Sequence, residues 1–599
     1  MKFIYFIFIS IYSNIIFSQN CDYWQQKVDY KITCEVDKNK IEGQEKIVYY
    51  NNSPDTLHKI YFHLYYNAFQ KESMMSKRAQ TIVDPERNMD KKFEALKEKD
   101  SGKVEISSLK QDNNNLDFEI IETILKAKLD SPLAPGDSTV FDLSFKTQIP
   151  ELIRRAGMDS NEGIKYNMAQ WYPKIVEYDY QGYHPDFYIG REFYGVWGNY
   201  DVTINIDSKY TVAAGCDYFE KSTIGDKTKW HFTSKNVHDF VWAADEDYVH
   251  YSIQADSLTT FHFYYQNEGI RKESWPKLGN IMKDAFKFMN SRYGRYQYPT
   301  YSFIEAGDGG MEYPLATFIT GKRSINSLTG ISIHEFLHSW YQMQLATNES
   351  LYPWMDEGFT SFATIEVMEY LINRGELDRE FPDFPFENDY NNFMKFQDSN
   401  ISEPMSTHSD RYDTNLAYSL NAYNGGLVFL EQLEYIIGKQ DFDKGLLDYF
   451  NKWKFKHPTP NDFIRVMEKN SDLELHWYLQ YFIDGLYFID YSIANVEPKN
   501  KNTTKITLEN NGDFPMPIDV LVTLKDGTIK YFNIPLTMML GHKKQDAYNF
   551  TVLPSWDWVD KNYEFELEIK YSDIQNIDIN PSHRLADIES NNNKWINQN

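Results

Sequence analysis

His334-Glu335-Phe336-Leu337-His338, followed by Glu357 in Trp354-Met355-Asp356-Glu357-Gly358-Phe359, decides how the rest of the chain is read. Two histidines four residues apart project from one face of a helical turn. A glutamate directly after the first can reach a water held beside them. This is a zinc-binding pattern, and a reactive zinc site needs a third protein ligand and one open position. Glu357 is the candidate. Eighteen residues separate it from His338, enough for one helix to end and a second to return antiparallel. Ile333, Phe336 and Leu337 flank the histidines with apolar side chains, as an enclosed site requires and a pair of solvated surface histidines does not.

Working outward, Gly309-Gly310-Met311-Glu312-Tyr313-Pro314 sets two glycines where a substrate backbone could approach an edge strand, with Glu312 able to receive a charged amine. Alone, this would be an ordinary loop glycine pair. Tyr423, in Tyr423-Asn424-Gly425-Gly426, opens a predicted helix. In a chain with 45 tyrosines a lone one is more often packing.

The chain has 599 residues, which suggests about two to four domains. Hydrophobic content of 42% and charged content of 25% describe an ordinary globular protein. Acidic residues outnumber basic ones 87 to 61, a net charge of −26 that repels phosphate backbones and anionic headgroups. Nucleic acid and membrane-surface partners are therefore not expected.

Residues 3–17 form a mostly apolar run after Lys2, with Ser18-Gln19 as a small-residue exit. The run is short for a membrane span and suits a cleaved signal peptide over residues 1–18. The expectation is an exported protein, periplasmic or extracellular, with no stable membrane insertion after cleavage. Cys21, Cys34 and Cys216 fit no zinc or thioredoxin spacing. Ser18-Gln19-Asn20 lacks the small residue that lipidation of Cys21 would want. Cys34 alternates with Val28, Tyr30, Ile32 and Val36 on one strand face, which reads as core. A Cys21–Cys34 disulfide stays open.

From about residue 24 to 248 the signals are those of strands, as in 27–36, 45–50, 60–64, 140–145 and 201–206. The polar stretch 91–115 inside them reads as a mobile insertion. Past 249, helical patterns appear at 276–288, 330–345, 357–372 and 425–437, and Thr459-Pro460-Asn461-Asp462 is a strong helix start. After 488 strands return, with Asp526-Gly527 as a hairpin turn and a polar tail, 587–599, that reads as loose.

Taken together these residues resemble the M1 family of zinc aminopeptidases, the gluzincins. That family's pattern is Gly-x-Met-Glu-Asn, then His-Glu-x-x-His, eighteen residues, then Glu. The match runs through Gly309, Gly310, Met311 and Glu312 to His334, Glu335, His338 and Glu357, with Trp340 and Trp354 alongside. Tyr423 to Gly426 is similar to the family's Tyr-x-x-Gly. Gln170-Trp171-Tyr172-Pro173 is similar to its Gln-Phe-Glu-Pro, whose glutamine lines the substrate site. Two positions depart: Tyr313 stands for asparagine, and Tyr172 for the second glutamate that helps hold the substrate amine.

The resemblance implies an α+β multidomain fold. It would comprise an N-terminal β saddle domain over 19–248, a thermolysin-like α-rich catalytic domain over 249–488, and a C-terminal β-sandwich with a polar tail over 489–599. It implies one Zn2+ per chain on His334, His338 and Glu357, Glu335 as general base, and Tyr423 as oxyanion donor. Glu312, helped by Gln170, Gly309, Gly310 and Met311, would hold a peptide with a free N-terminus. A thermolysin-like endopeptidase and a non-catalytic peptide-binding scaffold are the alternatives. Nothing in the sequence sets the oligomeric state.

Overall fold

The computed structural model describes residues 23–191, 193–545 and 549–598. The expected signal peptide, and Cys21 with its open disulfide, lie outside the described residues. The N-terminal part is built on an eight-stranded sheet. Its centre is the hairpin Lys27–Asp37 and Lys40–Tyr50, with Gly198–Asp207 parallel to the first strand and Ser138–Gln148 antiparallel to the second. Val28, Tyr30, Ile32, Cys34 and Val36 all point into the core, as their alternation predicts. Cys34 and Cys216 are buried free thiols.

Residues 91–115 are not a mobile insertion. Lys103–Gln111 is a full strand of the main sheet, paired along Ser138–Gln148. A bulge between Ile106 and Ser108 breaks its period of two, so the inward Val104 and Leu109 fall out of phase and the polar residues dominate the pattern. The helices α1 (Met74–Thr81) and α2 (Met89–Ala95) precede that strand and reach out from the sheet domain as a strap.

The part that carries the metal motif begins with a five-stranded sheet in the order Tyr248–Gln254, Thr260–Gln266, Thr300–Glu305, Ala316–Ile319 and Gly310–Tyr313. Gly310–Tyr313 is the edge strand, antiparallel to its neighbour, with Gly310 opposite Ile319 and Glu312 opposite Thr317. Two long helices follow from α3 (Arg271–Arg292): α4 (Ile325–Tyr341) and α5 (Pro353–Asn373). Ser324 caps α4 through its side chain, and Pro353 starts α5, so both helices begin earlier than their apolar periodicity indicated. Phe336 of α4 packs on Tyr301 and Phe303 of the strand Thr300–Glu305 with ring centroids 4.4 and 5.7 Å apart, seating the helix on the sheet.

The helices continue as α6 (Glu387–Gln397), α7 (Asn415–Ser419), α8 (Gly426–Ile437), α9 (Lys439–Trp453), α10 (Pro460–Ser471) and α11 (His476–Ile483). Tyr423 does not open a helix. Thr414 caps α7, and a π-type turn, Leu420–Gly425, carries the chain into α8 without a break. Of the two glycines there, Gly426 is where α8 touches α5, and Gly425 packs against Phe393 and Met405. Thr459 and Asp462 do form the expected capping box at the start of α10.

Past Ile489 the chain forms two small sheets, one of three strands and one of five, with the expected hairpin between Ile518–Leu524 and Ile529–Ile534. Phe532 and Phe565 meet between them at 6.4 Å. The tail is not loose: Lys594–Ile596 adds a strand beside Ile574–Asp578, and Asp587 accepts the Tyr491 N–H at 2.8 Å. Its few apolar residues, such as Trp595 on Tyr571 at 5.7 Å, are enough to anchor a segment whose composition is polar.

Candidate metal centre and substrate cleft

Helix α4 presents His334 and His338 one turn apart, and α5 crosses it so that Glu357 faces both. His334 Nε2 lies 3.3 Å from Glu357 Oε2, His338 Nε2 lies 3.5 Å from the same oxygen, and the two Nε2 atoms are 3.3 Å apart. Tetrahedral ligands about 2.0–2.1 Å from a zinc ion stand roughly 3.3 Å from one another, so this triangle fits the ion. The far sides of both rings are engaged. His338 Nδ1 meets Asp356 Oδ1 at 2.5 Å and the Thr360 hydroxyl at 3.2 Å, and His334 Nδ1 meets the Thr364 hydroxyl at 3.3 Å. Such partners leave the Nε2 lone pairs aimed at a common point.

Asp356, Thr360 and Thr364 were missed in the sequence, yet a signal was there. Asp356 adjoins the third ligand, and Thr360 and Thr364 follow Glu357 at three and seven residues, the same face of one helix.

Charge follows from packing. Burial works against ionised Glu357, but His334 and His338 hold its carboxyl well below the usual value. Burial pushes the Glu335 carboxyl up, opposed by the two histidines, and burial likewise raises Glu312. Burial would lower His338, and Asp356 with Glu312 outweigh it, so its affinity for a proton rises. Glu335 sits directly against the edge strand: a Cβ built on Gly310 would fall 2.1 Å from its Oε1. A side chain at Gly310 would therefore displace the carboxylate behind it.

The remaining sequence-predicted residues divide. Met311 and Glu312 line the cleft with Gly310, and Glu312 Oε2 stands 3.9 Å from His338 Nε2. Gly309 adopts a positive φ of 83° beside Arg87 and turns the chain into the edge strand. The Tyr423 hydroxyl donates to Glu357 Oε1, and its ring stacks at 6.1 Å on His334. Gln170 is buried in the sheet domain and is not among the residues lining the cleft. Tyr172 is core: its hydroxyl donates to Asp239 Oδ1 at 2.9 Å and lies 3.1 Å from that of Tyr200. Tyr313 is buried as well.

The cleft has a volume of about 200 Å³. Its walls include residues that no motif announced: Glu86 and Arg87 from the strap, Arg154, Arg155 and Arg191 from the sheet domain, and Asn415, Tyr418 and Ser419 around the α7 turn.

Residues 279–482 match the family described as peptidase family M1 domain. The chain carries an M1 domain. The match contains His334, Glu335, His338, Glu357 and Tyr423, so the M1 domain and the metal centre coincide. Leucine aminopeptidase 2 of Aspergillus fumigatus is 29% identical over 191 residues, 30% of this chain and 30% of that protein. Human aminopeptidase B is 28% identical over 211 residues, 32% of this chain and 28% of that one. The matched segments thus span under a third of these relatives' lengths. The fold extends further. A mutant form of the M1 zinc metallopeptidase from Deinococcus radiodurans superposes with a TM-score of 0.54 at 13% identity, covering 77% of this chain and 94% of that one. Among the described residues no helix is long and apolar enough to cross a membrane.

Proposed function

We propose that this chain is a zinc aminopeptidase that releases N-terminal residues from peptides. One observation carries it: the triangle of His334, His338 and Glu357 at 3.3–3.5 Å opens onto the cleft that also holds Glu335, Tyr423 and Glu312. When bound, the zinc supplies Lewis acidity for a carbonyl and for a water. Glu335 takes the proton of the attacking water and returns it to the departing amine. Tyr423 turns its hydroxyl from Glu357 to the oxyanion, a donor whose loss typically costs about 3 kcal/mol in the barrier. The edge strand Gly310–Tyr313 aligns the peptide as an added strand, and Glu312 receives its ammonium, which fixes the cut at the first residue.

Glu335→Gln should retain zinc and lose hydrolysis of aminoacyl-arylamides; turnover surviving in that variant would refute the assignment. The buried Tyr313 and Tyr172 supply no second carboxylate for the amine, which favours a thermolysin-like endopeptidase as the second reading. An N-acetylated peptide separates the two, because an aminopeptidase refuses it.

Export is proposed on the apolar run at residues 3–17. Recovery of the intact leader from the mature protein, by N-terminal sequencing, would count against it.

A further inference from the structure

The metal cleft is small, and a larger cavity adjoins it. The cleft holds about 200 Å³, below the range of about 300–1,000 Å³ usual for a site that encloses a ligand. The neighbouring cavity holds about 450 Å³. Its walls are the end of α2 at Ala95 and Leu96, the sheet domain at Leu152 and Asn161, and the loop before the edge strand at Gly307 and Asp308. Arg87 lines both spaces. It and Asn88 take left-handed φ values of 49° and 56°, uncommon for residues with a side chain, where the strap turns between α1 and α2. Arg87 Nη1 donates to the Asp308 carbonyl at 2.9 Å and lies 2.7 Å from Asp308 Oδ1, and Nη2 would stand 3.1 Å from a Cβ on Gly309. The side chain thus reaches over the approach to the edge strand, and it is half exposed. The strap itself is fixed to the helical wall, where Asp84 accepts the backbone N–H groups of Asn415 and Leu416 at 2.8 Å.

Two points give a bound peptide its direction. Gly310 and Glu312 are two apart on the edge strand and so face the same side of it. Glu335, which takes the proton of the attacking water, lies against Gly310, and Glu312 receives the substrate's ammonium. A peptide added to this strand therefore runs from Glu312 toward Gly310. Each of its residues advances about 3.4 Å, so the chain has passed Gly310 by about its third residue. Ahead of it lie Gly309, the Arg87 guanidinium and the cavity that begins at Asp308.

We propose that this second cavity binds the residues of the peptide that lie downstream of the cut, from about the third onward, with Arg87 Nη2 donating to a peptide carbonyl at the passage between the two spaces. The inference rests on the aminopeptidase reading, which supplies the direction. Three basic and four acidic side chains line the cavity, a near balance that gives it no charge to select. What it reads is length. The substrate class is therefore unblocked peptides of about four or more residues, in preference to dipeptides.

The test is a length series on the zinc-loaded full chain. The substrates are the C-terminal amides of di-, tri-, tetra- and penta-alanine, each followed by the initial release of free alanine; amide ends remove the C-terminal charge as a variable. The value of kcat/KM should rise about tenfold or more from the dipeptide to the pentapeptide, because contacts remote from the cut are realised in the transition state. Ala95→Trp and Asn161→Trp place a large ring in the cavity from two different walls, both at exposed positions. Each, checked for an unchanged melting temperature, should shrink that ratio severalfold. A flat series, or a ratio untouched by both substitutions, overturns the proposal. If none of the peptides is cleaved, the aminopeptidase reading fails. Calorimetric binding of the dipeptide and pentapeptide amides to the Glu335→Gln protein then tests the cavity by itself: tighter binding of the longer peptide upholds it, and equal or absent binding overturns it.

Discussion

At the scale of single residues, the metal ligands were legible because their chemistry is local. Two imidazoles four apart and one acid on the next helix are written directly into the chain, and folding brings their Nε2 and Oε2 atoms to 3.3–3.5 Å. Gly310 was legible for an incomplete reason. The sequence offers it as room for a substrate, whereas the structure also places Glu335 Oε1 where its Cβ would be. Gly310→Ala must push the Glu335 carboxylate away from the position from which it takes a proton. Misplacing a reacting group by about 1 Å can cost on the order of a hundredfold. We expect kcat on an aminoacyl-arylamide to fall by roughly that factor while zinc content, read by metal analysis, stays at the level of the unsubstituted protein. A variant with unchanged kcat would mean that Glu335 has slack the packing does not suggest.

Among the elements, strands with clean alternation were legible and interrupted ones were not. Lys103–Gln111 was hidden by its bulge, and the start of α7 by a π-type turn that carries Tyr423 past a pair of glycines. Gly358 and Gly426 explain how α5 and α8 build the site. A Cβ on Gly358 would fall 2.4 Å from Gly426 Cα, and one on Gly426 would fall 2.8 Å from the Trp354 carbonyl oxygen. Backbone meets backbone here, next to Glu357 on one helix and three residues from Tyr423 on the other. Gly358→Ala should therefore do two things. It should destabilise the fold by about 1–3 kcal/mol, the usual cost of overpacking, and weaken zinc binding by displacing Glu357. Thr459→Ala is the comparison, because loss of the α10 cap costs about 1 kcal/mol on a helix that carries none of the ligands. Melting temperature and chelator competition measured on both variants distinguish a site effect from a general one. Equal zinc affinity in the two would show that the α5–α8 contact does not position Glu357.

For the molecule as a whole, the domain order was legible in the switch from strands to helices and back. The contribution of the N-terminal sheet domain to the cleft was not, because it depends on contacts between residues far apart in sequence. Glu86 lies more than 60 residues before Arg154 and more than 100 before Arg191, and no local pattern links them. This cluster joins the strap to the sheet domain at the edge of the metal site, and it makes the stability of that junction depend on acid. Burial would raise the Glu86 carboxyl, but Arg154 and Arg191 bring it down from the ordinary 4.5 to about 2. A carboxyl depressed in the folded state stabilises above its unfolded value and loses that contribution as pH falls toward its folded value. The stabilisation is therefore complete above about pH 4.5 and declines toward pH 2, by up to about 3 kcal/mol. Glu86→Gln resembles the protonated side chain at every pH. The unsubstituted protein should melt well above this variant at pH 6, and the gap should narrow steadily between pH 4.5 and 3. A gap that stayed constant across that range would mean that Glu86 holds the strap by its shape and not by its charge.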